Sequence, residues 1–152
     1  MIYNALKLVH VLSIIVWIGG MVFAHFFLRP TAQQLEPPQR VRLMHGVLQR
    51  FLGAVAVAIV LVLTSGLGMI GAVSMGAGGA FSMPLKWTIM ATLGVVMMGI
   101  FAYIYFALFD RLERAVAASD WSAGGQALGG IRRWVSVNLL IGLVIVAQTL
   151  LM

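Results

Sequence analysis

Leu6-Lys7-Leu8-Val9-His10-Val11-Leu12-Ser13-Ile14-Ile15-Val16-Trp17-Ile18-Gly19-Gly20-Met21-Val22-Phe23-Ala24-His25-Phe26-Phe27-Leu28-Arg29-Pro30 is the stretch on which the chain turns. It is apolar and long enough to cross a bilayer, yet it carries two of the three histidines in the protein. At about 100° per residue, His10, Ile14, Trp17, Met21 and Leu28 fall on one helical stripe, with His25 about 60° off it. A spanning helix with imidazole near each end of one face is an unusual use of sequence. That face is the first place to look for function.

The rest of the composition agrees that lipid is the solvent. Of 152 residues, 62% are hydrophobic and only 9% charged, and the mean hydropathy is +1.04. A soluble domain of this length carries roughly a quarter charged residues. With no cysteine, disulfides, zinc–thiolate sites and iron–sulfur clusters are excluded. The net charge of +6 does not point to nucleic acid, because the basic residues are dispersed at helix ends. Dispersal of that kind serves anchoring and orientation in a membrane. The first segment differs from a secretory signal: its n-region holds only Lys7, its apolar run is longer, and no small-x-small site follows. It is expected to be retained.

Three further apolar segments follow, giving expected spans of about 5–28, 47–73, 85–109 and 131–152. Connecting them are Arg29–His45, Ser74–Pro84 and Asp110–Gly130. No soluble domain, low-complexity tail or short-period repeat is visible. The expected fold is all-α: a single-domain polytopic membrane protein built as an antiparallel four-helix bundle. Glycines that punctuate the spans allow close helix approach. The first and third connections with their flanks hold Arg29, Arg40, Arg42, Arg50, Arg111, Arg114, Arg132 and Arg133, against Lys7 and Lys86 on the other side. Eight against two predicts both termini outside and a multi-pass protein of the bacterial inner membrane.

Topology then sorts the polar residues by depth. His10, Thr64, Ser65, Lys86 and Gln148 belong to the outer end, and His25, His45, Arg50 and Asn138 to the inner end. His10 and His25 are fifteen residues apart, roughly 22 Å of helix, so they cannot ligate one metal. Lys86 either snorkels to the interface or shapes a site, and Arg50 calls for an anionic partner such as a lipid phosphate or a cofactor carboxylate.

The histidines have three readings. Each can simply hydrogen-bond a neighbouring backbone. Each can ligate a metal, with thioethers favouring Cu(I): His10 with Met75, Met83 or Met90 outside, and Met21, His25, Met44 and His45 inside. Or His25 and His45, on adjacent antiparallel helices, can flank a haem b whose propionate pairs with Arg50. Nucleophilic catalysis is unsupported, since there is no cysteine and no span contains a carboxylate to orient a histidine. Any enzyme activity is therefore expected to be a haem-linked oxidoreduction.

Leu6-Lys7-x-x-His10, followed by Val16-Trp17-x-Gly19-Gly20, resembles the opening helix of CopD-type (copper resistance protein D) membrane proteins. Arg50-Phe51, Thr64-Ser65-Gly66 and Lys86 extend the resemblance along nearly the whole chain. It implies a part in copper uptake or resistance, often beside a periplasmic copper carrier. A chain with four spans would then dimerise or join a partner subunit to form a path. The same opening with Arg50 and Lys86 is also similar to the HemJ type of protoporphyrinogen oxidase, which is haem-associated. That family has a further histidine in its third helix, where this chain has Met97, Met98, Gly99 and Tyr103. Copper is the leading expectation, haem b the alternative, and a structural membrane subunit without cofactor the third reading.

Overall fold

The computed structural model describes residues 1–152 and contains helices, turns and no strand. Four helices are long and apolar enough to cross a membrane: α1 (Ile2–Ala32), α2 (Pro37–Gly76), α3 (Leu85–Ala117) and α4 (Trp121–Leu151). Only 27 of the 152 residues are buried. Phe23, Phe26, Phe27, Leu67, Val95 and Leu140 all point outward, which is the inside-out economy of a bundle whose surroundings are hydrocarbon. The all-α, four-span expectation holds.

The helices run past the apolar segments from which the spans were read. α2 has 40 residues, about 60 Å of helix against a hydrocarbon core of about 30 Å. It begins with Pro37 and Pro38 in its first turn, where the missing N–H groups cost nothing, after an extended Glu36. Only Gln33–Glu36 separate it from α1.

α4 likewise begins at Trp121, not near Ile131, and the Asp120 carboxylate caps it by accepting from the Ala123 N–H at 3.0 Å. The glycine-rich stretch expected to be a loop is helix. Its glycines are contact points: a Cβ on Gly124 would come within 2.8 Å of Val41 Cγ1, and one on Gly130 would touch Leu108. The close crossing of α4 over α2 requires Gly124, whereas a Cβ at Gly130 would make only ordinary contact. On the other side, Gly78 and Gly79 take positive φ (56° and 89°) in the turn after α2.

α1 packs chiefly on α2 and α3 chiefly on α4, while α4 also touches α1 and α2. The two hairpins share one register. A π-helical turn widens α1 at Ala24–Leu28 and α3 at Ile104–Leu108, from residue 24 to 104 and 28 to 108, an offset of 80. Buried positions follow the same offset in Trp17 and Met97, and in Ala32 and Leu112. Between α2 and α4 the offset is 83, pairing Val41 with Gly124, Leu48 with Ile131, Leu52 with Val135 and Val55 with Asn138, all buried. The two hairpins run in parallel, with these positions corresponding between them. π turns arise where an extra residue is fitted into a helix, frequently at functional sites. Here both lie toward the arginine-rich end.

One continuous core joins the hairpins through Trp17, Met21, Leu52, Val55, Met97 and Leu139. Trp17 meets Phe101 edge-on, with ring centroids 6.5 Å apart. Gly20 admits the Phe51 ring, which a Cβ there would overlap.

Candidate functional site

Polar groups gather at three levels along this core. Nearest the termini, His10 is 8% exposed on α1 and faces α2. Its Nδ1 lies 3.1 Å from the Val62 carbonyl and 3.1 Å from Ser65 Oγ. Ser65, also buried, donates its own proton to the Leu61 carbonyl. The hydroxyl therefore meets the imidazole as an acceptor, and the carbonyl can only accept. Both partners require a proton on Nδ1. The neutral ring then carries its lone pair on Nε2, the arrangement in which a histidine serves as a metal ligand. Gly66 makes room, since a Cβ there would lie 3.3 Å from His10 Cε1. Thr64, the other hydroxyl of the pair, is exposed and bonds only its own helix.

The methionines expected around His10 are dispersed. Met75 is 81% exposed and Met83 37% exposed at the α2–α3 connection, and Met90 packs against the hydrophobic core. Met69 has the better placement: it is buried on α2, one turn beyond Ser65 on the same face. Lys86, half-buried, sits at this end too. Its carbonyl accepts from Gln148 Nε2 at 3.2 Å, while Gln148 Oε1 is buried without a partner.

At mid-depth Asn138, expected at the arginine-rich end, is instead part of the core at 2% exposure. Its Nδ2 donates to the Met97 carbonyl at 3.3 Å, and its Oδ1 is buried with no partner. The bundle is therefore not dry throughout. It keeps one unpaired acceptor beside Met97.

At the arginine-rich end only two of the four expected inner ligands, His25 and Met44, line the same cavity. His25 lies in the π turn of α1, with Nδ1 3.4 Å from Ser136 Oγ on α4. It lines a cavity of about 260 Å³ together with Met44, Gln33, Arg29, Arg40 and Arg132. Met21 belongs to the core, one turn before. His45 turns to α3, stacking on Phe109 with centroids 5.4 Å apart, its Nε2 3.8 Å from Glu113 Oε1. His25 and His45 thus face different neighbours and do not form the facing pair that a bis-histidine haem needs. Arg50 is exposed and has no anionic partner in the bundle. Nowhere do three His, Asp or Glu side chains converge as a metal cage would require.

Among curated proteins and among solved structures, nothing matches this chain. A family model does, that of copper resistance protein D, over residues 45–152. The matched stretch contains Ser65 and Gly66, against which His10 is held, and all of α3 and α4, while His10 itself lies on the helix before it. With most of its length so matched, this multi-pass membrane protein belongs to the copper resistance protein D (CopD) family.

Proposed function

We propose that the chain handles Cu(I) as cargo, taking it up at the end that carries both termini and passing it toward the arginine-rich end. One observation carries this reading: His10 is buried and held through Nδ1, which leaves the lone pair on Nε2, an atom that no protein group hydrogen-bonds. Met69 is the nearest thioether on the same face of α2 to complete a two-coordinate site. Met75 and Met83, exposed at the connection, supply soft donors for capture from outside.

Along the way, Met21, Met97 and the unpaired Asn138 Oδ1 lie in the core, and His25 and Met44 share the cavity at the far end. Lys86 opposes entry of further cations and keeps the site at low occupancy. The eight-to-two distribution of basic residues supports both termini outside and an inner-membrane location. The path of a four-helix unit is narrow, which favours a second copy or a partner subunit, with a periplasmic copper carrier as donor.

Flux through reconstituted vesicles tests the proposal. Purified protein in liposomes should raise Cu(I) uptake over empty vesicles, and His10→Ala should lower that flux about tenfold or more. Equal flux with and without His10 would reject it. The haem reading gains no support from the separation of His25 and His45.

A further inference from the structure

The cavity beside the π turn of α1 has a chemistry that copper handling does not use. Arg29, Arg40 and Arg132 line it from three different helices, and no aspartate or glutamate does. The only ion pairs in the protein are His45–Glu113 and Arg114–Asp110, so none of the three guanidinium groups is neutralised. Arg40 touches only the Gln33 side-chain oxygen, at 3.5 Å. Arg29 and Arg40 are half-buried. Three converging, unpaired cations in a partly enclosed space repel one another unless an anion joins them.

Depth and lining narrow the choice of anion. Arg29 follows His10 by nineteen residues, roughly 28 Å of helix, which is close to the hydrocarbon thickness. With His10 near one boundary, Arg29 lies near the other, at headgroup level. Beyond the arginines, His25 and Gln33, one side of the wall is apolar, with Leu48, Leu128, Ile131 and Val135. A guanidinium fork matches phosphate oxygens, and basic pockets between spanning helices accept lipid headgroups.

We infer that this cavity binds the phosphate of an anionic phospholipid, its acyl chains leaving along the apolar wall between α1, α2 and α4. The lipid bridges the start of α2 and the start of α4 to α1, and its charge offsets that of the arginines. The lipid shares this cavity with His25 and Met44 of the copper reading, but its binding rests on the arginines and survives the failure of that reading.

Native mass spectrometry of the detergent-solubilised protein, titrated with phosphatidylglycerol, tests it. One saturable lipid per chain is expected, with phosphatidylcholine much weaker. Arg29→Gln and Arg132→Gln should each weaken binding roughly tenfold or more. Arg132 is exposed, so its variant keeps the test valid if Arg29→Gln fails to fold. Arg111→Gln and Arg114→Gln, which remove the same charge outside the cavity, should retain binding. Equal loss in those controls would overturn the site in favour of diffuse membrane attraction. Inorganic phosphate binding as tightly as the lipid would reassign the cavity to a soluble phosphate and overturn the lipid. No saturable binding of either would overturn the inference altogether.

Discussion

Replacing Ser65 by alanine separates a histidine that ligates from one that only packs. The His10 Nδ1 proton is shared between Ser65 Oγ and the Val62 carbonyl, each at 3.1 Å. Loss of the hydroxyl leaves the carbonyl as sole acceptor, so the tautomer survives while the ring loses half of its support. Removing a partner behind a metal-bound histidine costs 10–100-fold in affinity. With one of two acceptors retained, the low end applies: about tenfold, or about 1.4 kcal/mol. The fold should lose about 1 kcal/mol for the buried hydrogen bond, a fall of roughly 2–4 °C in Tm.

Competition against a Cu(I) chelator in detergent reads the affinity, and thermal unfolding reads the fold. Thr64→Ala is the control, since Thr64 is exposed and bonds only Val60 and Leu61. An unchanged copper affinity in Ser65→Ala, or an equal loss in Thr64→Ala, would refute the role assigned to His10 Nε2.

Three other substitutions probe the bundle. Gly20→Ala should destabilise by about 1–3 kcal/mol because its Cβ overlaps the Phe51 ring, and Phe51→Leu should recover part of that loss in a double-mutant cycle of melting temperatures. Asn138→Leu removes a buried oxygen without a partner together with the Nδ2 bond to the Met97 carbonyl, so the two offset and the melting temperature should change little while vesicle copper flux falls; a drop of several degrees would show that the polar group as a whole stabilises the fold. Glu113→Gln should change stability by less than about 1 kcal/mol, since the carboxylate is half exposed and 3.8 Å from His45.

The spans were readable because a hydrocarbon solvent demands uninterrupted apolar helix, and the composition states that demand directly. Helix ends were not readable from the same signal. Residues 37–46 and 121–130 lie beyond the apolar runs, and their helicity depends on contacts such as Gly124 against Val41. The π turns leave no mark in periodicity over so few residues, yet they determine where His25 points.

Depth put His10 and Ser65 in one layer, and the hydrogen bond between them is a tertiary fact. It misassigned Asn138, whose polarity suggested an interface and whose actual site is the core. It could not say that His45 would stack on Phe109 rather than face His25, because that choice belongs to the angle between α2 and α3. Arg29, Arg40 and Arg132 were legible as orienting charges. Their convergence on one cavity is a tertiary fact. The correspondence of Trp17 with Met97 and of Val55 with Asn138 was equally hidden, since these positions match in burial and not in identity.

Copper X-ray absorption on the Cu(I)-loaded protein tests the central assignment most directly. An imidazole contribution to the copper shell alongside sulfur is expected, lost in His10→Ala and intact in His45→Ala. A shell that keeps its imidazole in His10→Ala, or that loses it equally in both variants, would contradict it.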